Sequence, residues 1–356
     1  MNYRYLGFVV AAAVLLSLAQ AQVAAQAQVA LAANKSVSQT WTPPRAADGH
    51  PDLQGVWANN NATPLERPKE LAGRALLTDE EVAAMKKKAA ELYDGTGDAA
   101  FGDNVFETVF ASLKGTVSGP HKKAANEFDG DTGDYSSVWI VSREWDNRTS
   151  LITDPPDGRL PAMTAEGQKR RDATFAAFSR PPAGPEDRGL QERCITFGSP
   201  QLLAGYQSYY QIVQTSNAVV FLSEMIHDAR VIPLDGRPHA PSSIREWNGD
   251  SRGHWEGDTL VIDTLNYKPK GFMASSSEKL HVIERFSRTG PETLKYEITI
   301  DDPETWTKPW SLMIPLRHSP TPIYEYACHE GNVGMVGILA GARAEERAAA
   351  GKPTAK

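Results

Sequence analysis

Short runs of β-branched and aromatic residues, each bounded by turn residues, follow one another through the second half of the chain. They cover residues 210–215, 218–225, 243–247, 259–264, 280–286, 294–301 and 323–328, and a similar run at 137–142 precedes them. Segments with helical periodicity do not alternate with these runs, which disfavours a parallel sheet. The pattern predicts a mainly β fold, an antiparallel barrel (a lipocalin-like form included) or sandwich with a few peripheral helices.

Two of the peripheral helices have clear start signals. Thr78 lies three residues before Glu81, which is the spacing of a capping box, and helical periodicity follows. A second helix is expected at 164–178, before the helix-breaking pair Pro181 and Pro182. Residues 94–134 are rich in Gly and Asp and predict a long loop.

The N-terminus has the features of an export signal. Arg4 precedes an apolar run at 6–18, and Ala19-Gln20-Ala21 fits a cleavage site. We therefore predict a signal peptide at 1–21, a disordered linker at 22–40, a single β-rich domain at 41–342 and a helical or disordered tail at 343–356. The expected location is periplasmic or secreted, with no membrane association after cleavage; the alternative is an uncleaved N-terminal anchor.

Charge and cysteine content limit the partners. The net charge is −7 without a basic stripe, which disfavours nucleic acid as a partner. The two cysteines, Cys194 and Cys328, either pair in an oxidising compartment or remain separate buried thiols. The sequence leaves a homo-oligomer open.

One acidic residue stands out in the predicted strand 280–286. Side chains alternate across a strand, so Leu280, Val282, Glu284 and Phe286 share one face. If this face points into the core, Glu284 is a buried carboxylate, which needs a partner or a raised pKa. It then serves either as a general acid or base, or as half of a buried Glu–Arg pair that only stabilises the fold. The next run, 294–301, alternates strictly and predicts a plain half-buried strand.

Polar residues cluster where other strands end. The segment 224–239 combines Glu224, His227, Arg230, Arg237 and His239, which is compatible with proton transfer and anion binding or with a salt-bridged loop. Residues 255–258 predict a β-hairpin turn, and 324–332 adds tyrosines next to His329.

Cofactor motifs are missing from the sequence. It contains no P-loop, no GxGxxG before a helix and no GxSxG elbow, so no cofactor is predicted. His227, His239, His281 and His329 are potential ligands, but they form no tight metal signature, and no metal site is predicted.

Several motifs carry a family resemblance: ERCITFG at 192–198, EMIHDAR at 224–230, PLDGRPH at 233–239, WEGDTLV at 255–261, LHVIERF at 280–286 and EYACHEGN at 325–332. They resemble a large, largely uncharacterised family of exported proteins from soil bacteria and sphingomonads. The chain is also similar to cofactor-independent decarboxylases that act on lignin-derived phenylcoumaran acids. The resemblance implies a class of activity but assigns no catalytic residue.

The resulting hypothesis is a periplasmic, cofactor-independent lyase, a decarboxylase of a small lignin-derived aromatic acid. The predicted catalytic residues are His227, His281, Glu284 and Tyr326. The predicted substrate-binding residues are Arg230, Arg237, His239, Trp255 and Tyr324. The alternatives are a non-catalytic protein that binds a hydrophobic ligand and a metal-dependent hydrolase.

Overall fold

The computed structural model describes residues 41–92, 104–115, 143–202, 204–273 and 275–351. The predicted signal peptide, the predicted linker and the expected strand at 137–142 lie outside these residues. From Pro43 onward, the described residues form one compact unit.

Ten strands form one antiparallel sheet in the described part of the chain. They are β1 Gly55–Ala58, β2 Ile152–Asp154, β3 Tyr209–Gln214, β4 Ala218–Ser223, β5 Ala229–Pro233, β6 Asp250–Glu256, β7 Thr259–Leu265, β8 His281–Gly290, β9 Thr293–Asp301 and β10 Trp310–Ser319. The strand order is β5-β4-β3-β1-β10-β9-β8-β7-β6, and β2 pairs with β10. The sheet does not close, and the mainly β, antiparallel, barrel-like or sandwich-like fold is confirmed.

Alternation along the strands places the core on one face of the sheet. In β9, Leu294, Tyr296, Ile298 and Ile300 are buried, as their spacing predicts. In the adjacent β8, Val282, Glu284 and Phe286 point to the same side because Glu284 pairs with Ile298 and Phe286 with Tyr296. On β8 and β9, the inner face is therefore apolar apart from Glu284 and the hydroxyl of Tyr296.

The two edge strands of the sheet, β5 and β6, approach each other without a hydrogen-bonded ladder in the described residues. A Cβ added to Gly253 of β6 would lie 2.6 Å from Leu234 Cδ2 and 2.9 Å from Ile232 Cγ2. Side chains of the β5 region thus fill the space that a larger residue in β6 would occupy. We call this contact between β5 and β6 the seam.

Four α-helices lie in the described residues: α1 Asp79–Leu92, α2 Asn104–Leu113, α3 Ala165–Phe178 and α4 Val333–Ala350. The capping box is present, since Glu81 Oε2 accepts from the Thr78 backbone N–H at 2.8 Å and Thr78 Oγ1 accepts from that of Glu81 at 3.2 Å. Thr164 caps α3 by accepting from Gly167 N at 3.0 Å. Within the described residues, no helix combines the length and apolar character that a membrane crossing requires.

Several expected elements differ from the structure. Residues 243–247 and 323–328 are not strands; the first segment contributes one isolated bridge, between Glu246 and Tyr267. The expected loop at 94–134 contains α2, and the helix expected to begin at 343 begins at Val333. Strand-like composition was not sufficient in these two segments because a strand also needs a neighbouring strand with which to pair.

A disulfide joins Cys194 to Cys328, with their Cα atoms 5.7 Å apart, which settles the question that the sequence left open. Asn332, just past the bridge, donates to Glu192 O at 2.9 Å. The segment before α4 is therefore held against the loop around 192–194.

Candidate functional site

Glu284 lies on the inner face of β8 and is 0% exposed. The sequence predicted this burial, because the side chain shares a face with Val282 and Phe286. A carboxylate in this position requires compensating charge and hydrogen bonds.

The compensating charge comes from across the seam. Arg230 on β5 donates from Nη1 to Glu284 Oε1 at 3.1 Å and from Nη2 to Oε2 at 2.5 Å. The same Nη2 donates to Ser251 Oγ on β6 at 3.1 Å. A planar guanidinium can make this two-pronged contact, so Arg230 links an edge strand to the centre of the sheet.

Tyr296 on β9 completes the centre. Its hydroxyl donates to Glu284 Oε1 at 2.5 Å, which the diagonal placement of the two residues allows. Strict alternation predicted a half-buried strand here, in which Tyr296 is one more core residue. The contact was therefore missed.

Burial and charge fix the protonation states of the two donors. Burial, followed by the negative charge of Glu284, raises the pKa of the Tyr296 phenol well above its usual value. Burial acts to lower the pKa of Arg230, but the charge and hydrogen bonds of Glu284 outweigh it and the pKa is raised. Tyr296 is thus a neutral donor and Arg230 a permanent cation.

A small cavity, with room for about one water molecule, reaches this centre. Its walls include aromatic side chains: the Phe286 ring lies 4.2 Å from that of Tyr296 and 4.7 Å from that of Phe221, measured between centroids. Arg230 Nε is buried and has no hydrogen-bond partner among the described residues. The cavity therefore combines aromatic walls with an unused N–H donor beside an ion pair.

Asp228 lies in the lining of the same cavity. Its Oδ2 accepts from Thr196 Oγ1 at 2.7 Å and from Phe197 N at 3.0 Å, and its Oδ1 accepts from Asn248 Nδ2 at 3.3 Å. These bonds join three loops at this part of the cavity wall. The sequence placed Asp228 within the polar segment 224–239 but had no signal for these partners.

His281 lies on the outer face of β8, on the opposite side of the sheet from Glu284. Its Nε2 lies 3.1 Å from both carboxylate oxygens of Asp263, and this hydrogen bond is the main cause of its raised pKa. His239 bridges Asp263 and Asp250, with Nε2 and Nδ1 at 3.1 Å and 2.9 Å. The two histidines form a polar cluster of their own, and the expectation that His281 shares a pocket with Glu284 is wrong.

His227 is exposed in a tight turn, and its ring centroid lies 6.3 Å from that of His329. Ile226 and His227 have φ values of 58° and 49°, in the left-handed region that β-branched residues rarely adopt. The neighbouring Glu224 is 2% exposed, and its Oε2 has no partner among the described residues. Burial raises the pKa of Glu224, against the lowering effect of the Tyr324 backbone N–H.

The other predicted residues lie apart from the cavity lining. Arg237 is exposed and pairs with Asp235. Trp255 stacks on His50 with a centroid distance of 4.5 Å. Tyr324 is 50% exposed, and Tyr326 is partly buried in the segment next to the disulfide. Of the nine predicted site residues, the structure brings Arg230 and Glu284 together in one cavity.

The described residues contain no group of three or more His, Cys, Asp or Glu side chains arranged to hold a metal ion.

In comparisons with known proteins, no family model matches the chain. No curated protein and no solved structure matches it either.

Proposed function

We propose that this protein is an exported, cofactor-independent lyase that decarboxylates a small aromatic acid with a conjugated side chain. The observation that supports the proposal is the buried set of Arg230, Glu284 and Tyr296 beside an aromatic-walled cavity, with Arg230 Nε unused. Acids derived from lignin, including hydroxycinnamic and phenylcoumaran acids, have the required conjugation.

Arg230 binds the substrate carboxylate through Nε. Glu284 and the substrate carboxylate then contact the same guanidinium. Tyr296 orients Glu284 through its hydrogen bond. Glu284 is thereby placed as the proton donor.

The reaction balances without a co-reactant. Glu284 transfers a proton to the side-chain carbon that bears the carboxylate, and a C–H bond forms while positive charge spreads into the hydroxylated ring. The C–CO₂ bond then breaks, its electron pair restores the double bond, and carbon dioxide leaves. A proton from water returns to Glu284, so each turnover consumes one proton.

The test is incubation of the purified protein with hydroxycinnamic and phenylcoumaran acids, with carbon dioxide and the alkene product measured. E284Q should lower the rate by about 10²-fold or more, since it removes the proton donor. E297Q is the matched control, because Glu297 lies on the outer face of β9 and pairs with Lys295 at 2.9 Å. If no such acid is converted, or if E284Q remains as active as the wild type, the proposal is wrong.

A second candidate is a non-catalytic carrier of an aromatic ligand. The observation in its favour is that Arg230 and Tyr296 already occupy both oxygens of Glu284. A carrier would bind the acids above and release them unchanged, so the same incubation distinguishes the two candidates.

A further inference from the structure

An open groove lies against the outer side of the seam, beside the first residues of β5 and β6. It encloses about 1080 Å³, including space open to solvent, and Ala229, Val231 and Ser251 are among its lining residues. We call it the seam groove. Its size is sufficient for a small organic ligand.

The seam groove and the buried cavity meet at two residues. Arg230 and Asn248 line both spaces. Further along the seam, the contact of Gly253 with Ile232 and Leu234 leaves no room for a ligand. Arg230 and Asn248 therefore lie between the groove and the cavity.

The charged side chains on the groove are mostly basic. Four cations line it, against two carboxylates: Arg230, Arg245, Arg252 and Lys268, against Glu246 and Asp250. Such an arrangement attracts anions and raises their local concentration.

Most of these cations already have partners. Arg245 pairs with Glu278 at 3.2 Å, and Arg252 pairs with Asp250 at 2.7 Å. Lys268 makes no ion pair among the described residues, and its ammonium lies 4.9 Å from the centroid of the Trp247 ring. Lys268 is thus a cation held in place by an aromatic face and available to a ligand.

Arg230 supplies a second available donor, at the inner end of the groove. Its Nη atoms are engaged by Glu284 and Ser251, whereas its Nε is buried without a partner in the described part of the chain. A buried N–H without an acceptor is unfavourable, and a ligand oxygen would remove that cost. A path along the groove from Lys268 to Arg230 thus begins and ends with a donor for an anion.

We propose that the seam groove is the entrance to the buried centre and selects aromatic carboxylates, with Lys268 on Trp247 as the outer contact and Arg230 as the inner one. The inference depends on the proposed function for the nature of the acid, but not for binding itself. An anion enters between the unpaired edges of β5 and β6, where no backbone ladder has to break.

The test uses 3-(4-hydroxyphenyl)propanoate as the probe, with binding measured by calorimetry. Its saturated side chain has no double bond to protonate, so binding is measured without turnover. In K268M the aliphatic stem still covers Trp247 and the charge is lost. K308M is the matched control, because Lys308 is exposed and lies outside the groove lining.

The wild type should bind the probe more weakly as salt increases, because salt screens the attraction. K268M should raise Kd about three- to tenfold and flatten this salt dependence. K308M should bind within about twofold of the wild type, and the methyl ester of the probe should bind at least about tenfold more weakly than the acid. Inorganic phosphate should compete weakly, since it lacks the ring.

Three results would overturn the inference: no binding to the wild type, equal binding by K268M, or equal binding of the methyl ester. If K268M binds the probe with unchanged Kd and the protein converts conjugated acids, the seam groove is not the entrance, but the proposed enzymatic activity stands. If K268M binds the probe with a higher Kd and no acid is converted, the seam groove is supported as the entrance and the proposed enzymatic activity is refuted.

Discussion

Replacing Glu284 with Gln should destabilise the fold strongly, whatever the ligand. The substitution conserves volume but removes the only carboxylate that Arg230 contacts among the described residues. The Arg230 side chain, which is 12% exposed, would remain as a buried charge without a counterion. Removing one partner of a buried pair costs about 3–5 kcal/mol, and we expect E284Q to lose this amount of unfolding free energy.

Removing both charges should cost less than removing one. In R230M/E284M no buried charge remains, and exchanging a buried pair for apolar residues of similar volume is often neutral or stabilising. The Tyr296 hydroxyl would lose its acceptor, at a cost of about 1–3 kcal/mol. We therefore expect the double variant to be more stable than either single variant of the same cycle, R230M or E284M.

The assay is urea unfolding of the oxidised protein at neutral pH, followed by tryptophan fluorescence and by far-ultraviolet circular dichroism. Coincident transitions would justify a single free energy for each variant. E297Q, on the exposed face of β9, should stay within about 0.5 kcal/mol of the wild type. Destabilisation of the double variant by the sum of the two single losses would refute the coupling, and a loss below about 1 kcal/mol in E284Q would refute the buried pair.

Three other perturbations should change the stability of the fold, two of them in a pH-dependent way. Because burial raises the pKa of Glu224 in the folded state, the free energy of unfolding should fall as pH rises through that pKa. E224Q should therefore melt at a higher temperature than the wild type at about pH 8 and at the same temperature near pH 4. A lower melting temperature of E224Q at about pH 8 would contradict this. The hydrogen bond with Asp263 raises the pKa of His281. The stabilisation by His281 is therefore complete below about pH 6 and is lost as pH rises through the pKa of the folded state. H281Q should lower the melting temperature more at about pH 5.5 than at about pH 9, and an equal loss at both would exclude the pH linkage. Loss of the Cys194–Cys328 bridge, by reduction or as C194S/C328S, should lower the unfolding free energy by about 2–5 kcal/mol, since it closes a long loop with a sequence separation of 134; an unchanged urea midpoint would disagree.

Strands rich in β-branched and aromatic residues could be predicted from the sequence, among them β3, β4 and β7, whereas several strands without such a run could not. Residues 280–286 and 294–301 were recognised because burial follows every second position. The central strand β10 was missed; it contains Pro315, which lacks a backbone donor and weakens a strand signal. β5 was missed because it is short, whereas the hairpin turn predicted at 255–258 is confirmed and joins β6 to β7.

The histidine assignments failed for a different reason. Alternation already placed His281 on the face opposite Glu284, but the hypothesis assumed that histidines from other segments would converge on the carboxylate. The structure instead places His281 and His239 around Asp263 on the outer face. Which residues meet across a sheet depends on long-range pairing and register, which residue types alone do not encode.

The sequence by itself determined that this chain is rich in antiparallel strands and that Glu284 shares a strand face with Val282 and Phe286, because alternation along a strand is a local property. Only the tertiary structure decided that Arg230, 54 positions away, is the partner of Glu284 and that Tyr296 is its second donor. The physical reason is that an isolated buried charge is unfavourable. The fold supplies the counterion where the sheet brings edge strand β5 against β6, and no local pattern specifies that contact.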